Sequence, residues 1–214
     1  MKVYKLTDQN MQTHNGFQWE LGVEKTTGGS GDLCSSGWLH AYTDPLLAVL
    51  LNPIHANFQN PKLFVAEGKG ESKSDRGLKV GYTSLTLIEE MAIPEISHEQ
   101  RVRFAIFCAK EVCKNTAWNK WADDWLSEKD RTSYAAAAAA AAAAYAADGD
   151  AAYAAAYAAD AYAYAAYAAD AYAYAAYAAA YAAEADAYAA YAAASAAAAN
   201  VDLIARAHKA MEEV

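Results

Sequence analysis

Proline is absent after Pro94, tryptophan after Trp125 and threonine after Thr132, and only one of the 11 glycines, Gly149, lies beyond that point. Basic residues thin out over the same stretch. Residues 1–131 carry 15 Lys and Arg against 17 Asp and Glu, a balance of −2, and residues 132–214 carry 2 against 9, a balance of −7. An acidic second half repels phosphate backbones and excludes ordinary nucleic-acid binding through it. The 3 cysteines, Cys34, Cys108 and Cys113, are odd in number and lack C-x-x-C spacing, so they read as thiols in a reducing compartment. No basic segment followed by an apolar run opens the chain, and a cytoplasmic location is expected. The alanine-rich stretch is long enough for a bilayer, but each central Asp would cost about 3 kcal/mol there, so no membrane partner is expected.

Known catalytic signatures are also missing. TTGGSGD, Thr26 to Asp32, matches neither G-x-x-x-x-G-K-[ST] nor G-x-G-x-x-G, and no G-x-S-x-G, H-E-x-x-H or Cys–His pattern occurs. A zinc set can be written from Cys34, His40, Cys108 and Cys113. On a helix, however, Cys108 and Cys113 point about 140° apart, which disfavours joint ligation. Neither metal nor cofactor is expected.

What is present divides at Thr132. Before it the composition is that of an ordinary globular chain; after it come mostly alanine and 13 of the 16 tyrosines. The pattern implies a small α+β module over 1–96, a helical neck over 97–131, an Ala/Tyr-rich helical repeat over 132–199 and an amphipathic C-terminal helix over 200–214. The fold class is thus a mixed α/β module followed by an all-α tail, as a hairpin or bundle.

In the first module, Val3 to Leu6 and Phe17 to Val23 read as strands, Lys62 to Glu67 and Val80 to Glu90 as two more, and Gly68 to Gly77 as a polar loop. Asp44 stands where an N-cap belongs and Pro45 at the first helical position, giving a short helix to Leu51 that Asn52-Pro53 ends. His40 is the best single catalytic candidate: placed just before that N-cap, it can meet a phosphate or ribose, or simply hold the loop. Glu67, Glu71, Glu89 and Glu90 can supply a carboxylate, but no spacing selects one. His55 reads as structural.

Several of these stretches carry a resemblance. Tyr4-Lys5, Gly16-Phe17-Gln18-Trp19-Glu20 with Gly22, Leu33-Cys34, Gly37-Trp38-Leu39-His40-Ala41 and Asp44-Pro45-Leu46 resemble an uncharacterised N-terminal domain of bacterial and bacteriophage proteins, often placed ahead of a repetitive tail. Glu99 to Phe104 and the run ending Trp125-Leu126-Ser127 are similar to the neck in that group. The resemblance implies a phage or mobile-element context and brings no activity. More distantly, Gly37, His40 and Thr43 before a helix are similar to the way ADP-ribosyltransferase-type folds place a His, although Gly37 departs in spacing.

Ser97-His98-Glu99-Gln100 is a capping box. Behind it, Val102, Ala105, Ile106, Ala109, Val112 and Cys113 form one apolar helix face. Thr116 can cap a second helix whose Trp118, Trp121 and Trp125 share a stripe, either as core or as a stacking platform for a ligand. Asp130 or Thr132 caps the alanine-rich helix behind it. Helices are expected at about 133–147 and 151–199, broken at Asp148-Gly149-Asp150, the second either continuous or folded into shorter pieces at Asp160, Asp170 or Glu184-Ala185-Asp186, with Asn200 capping the last helix.

In the repeat, Tyr153, Tyr157, Asp160, Tyr164, Tyr167, Ala171, Tyr174, Ala178, Tyr181, Ala185 and Tyr188 alternate by four and three, the rhythm of a seam facing a partner helix. A competing five-residue period, Tyr157, Tyr162, Tyr167, Tyr172 and Tyr177, fits a β-solenoid, against which alanine argues.

The function expected is a non-enzymatic interaction or self-assembly protein whose Ala/Tyr helices pack with a second copy of the chain or with a host protein. The alternatives are a nucleotide-binding or ADP-ribosyltransferase-like small enzyme around His40, and an acidic inhibitor of a host defence protein. Ice binding fits poorly: the helices known for it resemble flat Ala/Thr faces, and bulky tyrosines stand here instead.

Overall fold

The computed structural model describes residues 1–144, 155–162 and 175–212. The chain divides into two compact units, Met1–Glu95 and Ile96–Val214. The first is a mixed β-sheet unit with helices; the second is all helical and packs as a bundle.

The first unit contains β1 (Lys2–Thr7), β2 (Gln12–Thr13), β3 (Phe17–Gln18), β4 (Glu24–Thr26), β5 (Leu39–Ala41), α1 (Pro45–Leu50), α2 (Asn52–His55), β6 (Lys62–Asp75) and β7 (Lys79–Met91). β1, β6, β7 and β4 pair in that order, all antiparallel, and β5 also pairs with β7. Tyr4 and Tyr42 exchange two backbone hydrogen bonds of 2.8 Å, so the residue just past β5 returns to β1 and closes the sheet on itself. Inside lie Val3, Trp19, Leu39, Ala41, Phe64, Ala66, Val80, Tyr82, Leu85 and Leu87. Alternation along β1 puts Lys5 on the same face as Val3.

Three sequence readings change here. The expected loop Gly68–Gly77 is strand as far as Asp75, because β7 pairs with it while both its faces stay wet. Register shifts at Val65/Ala66 and Lys69/Ser72 bend this ribbon, and it turns through Arg76 (φ 48°) and Gly77 (φ 83°), both left-handed as a tight hairpin requires. The expected strand Phe17–Val23 is strand only over Phe17–Gln18. Asp44 does cap α1, its side chain accepting from the Leu46 amide at 2.8 Å, but Pro53 sits in the first turn of α2 and starts a second helix rather than only ending the first.

The second unit holds α3 (His98–Val112), α4 (Thr116–Leu126), α5 (Ser133–Ala144), α6 (residues 155–162), α7 (Ala175–Ala197) and α8 (Leu203–Glu212). The Ser97/Gln100 capping box forms on α3 with both hydrogen bonds in place. From Val102 to Ala109 every α3 residue is buried, because α4, α7 and α8 all pack on it. Asn115, not Thr116, caps α4, accepting from the Trp118 amide at 3.0 Å. Asp202 caps α8 through the Ala205 amide, while Asn200 takes a left-handed φ of 59° in the turn after α7. A small amide side chain suits the end of a helix as readily as its start.

α6 and α7 are helical where described, which rules out coiled strands there. Their most buried residues are alanines: Ala155, Ala158, Ala159 and Ala161 on α6, and Ala185, Ala189, Ala192, Ala193 and Ala196 on α7. Tyr157 and Tyr188 are half-buried and Tyr191 is 46 % exposed. Among the described side chains, the fully buried positions of α6 and α7 are thus alanines, and Tyr157, Tyr188 and Tyr191 meet at partly exposed positions. An unbroken 151–199 helix is excluded, since Tyr157 and Tyr188 meet at 5.7 Å where a straight helix would hold them about 46 Å apart. Tyr153, Tyr164, Tyr167 and Tyr174 and the Asp148-Gly149-Asp150 break lie outside the described residues, as does the side chain of Tyr181.

Candidate functional site

A cleft of about 720 Å³ opens in the first unit. Its walls come from β1, the β2–β3 hairpin, the Cys34–Ser36 loop, β5 and the segment after α2. Phe17, Trp19, Trp38, Tyr42 and Phe58 supply aromatic surface, and His14, His40, His55, Lys5, Lys79, Cys34 and the Tyr42 phenol supply the titratable groups. Among the described residues none that lines it is Asp or Glu. The absence is informative in a chain whose net charge is −9.

His40 lies on β5 itself, opposite Gly81, and not in a loop ahead of the helix. Its Nε2 donates to the Leu33 carbonyl, which fixes the hydrogen on that nitrogen and leaves Nδ1 as the acceptor in the neutral ring. Burial lowers its pKa. His55 meets the Tyr42 hydroxyl at 2.9 Å through Nδ1, and burial brings its pKa down to about 4. Burial likewise pushes the Tyr42 phenol up, so both partners are neutral at pH 7.

Lys5 is the unexpected member. It is 8 % exposed, its Nζ donates to the His40 carbonyl at 2.6 Å, and it lies 5.1 Å from the centre of the Trp19 ring. No carboxylate pairs with it among the described residues, and burial lowers its pKa to about 8. Lys79 is paired with Asp75 at 3.4 Å. Two indole nitrogens brace the walls: Trp19 Nε1 donates to Thr13 Oγ1 at 2.9 Å and Trp38 Nε1 to the Gly31 carbonyl at 3.2 Å.

The other sequence candidates fall elsewhere. Glu67, Glu71, Glu89 and Glu90 line no part of the cleft. Trp118, Trp121 and Trp125 are buried in the helical unit. Trp118 Nε1 donates to the Ala155 carbonyl at 2.7 Å, and Trp125 meets Tyr162 edge-on at 5.4 Å, so this stripe holds α6. Tyr157 stacks on Tyr188 at 5.7 Å and tilts against Tyr191 at 5.5 Å. Among the described residues no group of three or more His, Cys, Asp or Glu is placed to hold a metal ion, and no helix is long and apolar enough to cross a membrane.

Residues 1–99 match the family model of a domain of unknown function, DUF7666. The matched residues include every residue that lines the cleft. No curated protein and no solved structure matches the chain. Sequence reasoning reaches His40, reads His55 as structural, and passes over Lys5 and Lys79. For Lys5 a signal exists, since it sits two residues from core Val3 on a strand.

Proposed function

We propose that this is a non-enzymatic binding protein whose N-terminal unit takes a small anionic ligand bearing an aromatic ring, of the nucleotide class. One observation carries the reading: a cleft of about 720 Å³ that combines five large aromatic side chains with two lysines and no lining carboxylate, in an acidic chain. That volume is in the range of small-molecule sites, and flat apolar walls with a few convergent polar groups are what such ligands require. The neutral imidazoles of His40 and His55 offer hydrogen bonds without adding charge, while Lys5 and the Asp75-paired Lys79 supply positive charge. Thermal-shift measurements with AMP, NAD and pyridoxine 5′-phosphate test it. Stabilisation that grows with ligand concentration, and that His40→Ala and Lys79→Ala reduce, is the expected result. A folded protein whose Tm ignores all three ligands removes the reading.

For the helical region we propose self-association as a second role. Tyr134 on α5 is 85 % exposed, and Tyr191 and Ile204 also face solvent. A second copy of the chain is the proposed partner; a host protein is the alternative that the phage-like resemblance suggests. Light scattering over a concentration series should show dimers or larger species that Tyr134→Ser weakens, and a monomer at all concentrations counts against the role.

A further inference from the structure

We propose that Lys5 is a carbonyl-reactive amine, so that the N-terminal cleft captures an aldehyde or ketone as an imine on Nζ. The inference rests on the ligand-binding reading above and adds a functional group to the ligand: an anionic aromatic molecule that also carries a carbonyl.

The first support is position. β1 alternates, and Val3 and Lys5 share the face turned to the core, with Lys5 opposite Phe64 on β6. A leucine or methionine would satisfy that position, and a lysine there must lose most of its hydration. The second is company. Buried lysines are ordinarily paired with an acid, whereas Lys5 has a backbone carbonyl and an indole face. Besides Lys5, the groups around the cleft that carry or can take charge are His14, His40, His55, Lys79, Cys34 and Tyr42, with Lys79 already paired with Asp75. The third is access, since Lys5 lines a cleft with room for a ring-sized molecule.

These features together make the amine available. With a pKa of about 8, about a tenth of Lys5 is neutral at pH 7, against under about 0.1 % for an ordinary lysine. The neutral Nζ adds to the carbonyl carbon and forms the C–N bond, and the carbonyl oxygen takes up a proton to give a carbinolamine. Loss of water breaks the C–O bond, and the two hydrogens of the amine leave in that water. No oxidant or reductant takes part. The imidazole of His40, whose carbonyl binds Lys5, brings an uncharged base to the same wall.

Pyridoxal 5′-phosphate serves as the probe, being anionic, aromatic and an aldehyde, and pyridoxine 5′-phosphate is the control that lacks the carbonyl. The full-length protein is treated with equimolar probe, reduced with borohydride and mapped by peptide mass spectrometry. Lys5 is expected to carry at least tenfold more label than any other lysine, with labelling that rises through pH 8, falls when pyridoxine 5′-phosphate competes and vanishes in Lys5→Arg. Label spread over other lysines with Lys5 unmodified overturns the proposal. If pyridoxine 5′-phosphate still raises the Tm in that case, the binding reading survives and only the imine falls; if it does not, both fall. The wild-type peptide map decides even where Lys5→Arg fails to fold.

Discussion

The Tyr42 hydroxyl lies 2.9 Å from His55 Nδ1, with the two rings stacked 5.8 Å apart, and this pair joins the end of β5 to α2. Burial holds His55 at about 4 in the folded protein against 6.5 when exposed. The unfolded chain therefore takes the proton first as pH falls. Stability should drop between pH 6.5 and about 4, by up to about 3 kcal/mol from this group. His55→Phe should flatten that part of the curve. Thermal denaturation at half-unit pH steps measures it, and equal slopes in both proteins would refute the assignment.

His98 should behave in the opposite sense. Its Nδ1 contacts the Asp186 carboxylate at 2.9 Å, and this hydrogen bond raises its pKa above 6.5. The stabilisation is complete below 6.5 and is lost as pH rises through the folded value. The pair is partly exposed, so it contributes less than about 1 kcal/mol. NMR titration should find a His98 midpoint above 6.5 that returns toward 6.5 in Asp186→Asn; an unchanged midpoint would sink the pairing.

Gly37 should tolerate no side chain. A Cβ there would strike the backbone of Ser30, 2.8 Å from its nitrogen and closer to its carbonyl oxygen. Backbone cannot swing away as a flexible side chain can, so Gly37→Ala should cost more than about 2 kcal/mol and disturb the Cys34–Ser36 wall of the cleft. Urea denaturation reads the stability. Wild-type stability in the variant would mean that this loop is not packed as described.

Trp118 buries its indole N–H against the Ala155 carbonyl. Trp118→Phe removes that donor and leaves a smaller ring in a fully buried site, which together should cost about 1–3 kcal/mol. Hydrogen exchange should quicken in α6 more than in α3, and uniform quickening would argue against a local bond.

Local chemistry was legible in the sequence and pairing was not. Asp44-Pro45 and Ser97…Gln100 announce helix starts because a cap is satisfied within three residues. The outer half of β6 stayed hidden because residues 69–74 are exposed and owe their strand form to β7, so no alternation marks them. β5 is three residues long and is defined by its partners, Gly81 and the residues on either side of it. The cleft was equally hidden, since Lys5 and His55 are fifty positions apart and meet at one cleft only once the sheet has closed at Tyr4 and Tyr42. In the repeat the four–three rhythm was visible; among the described side chains alanines take the fully buried positions of α6 and α7, and Tyr157 and Tyr188 of that rhythm stack on each other half-buried.

The methyl groups of Ala185, Ala189, Ala192 and Ala196 form a smooth track on α7, which packs against α3. Shift such a helix by one turn, about 5.4 Å, and each methyl lands where its neighbour had been. The track alone cannot tell one register from the next. Asp186, gripped by His98 and Arg101 from α3, is the stop that ends the slide.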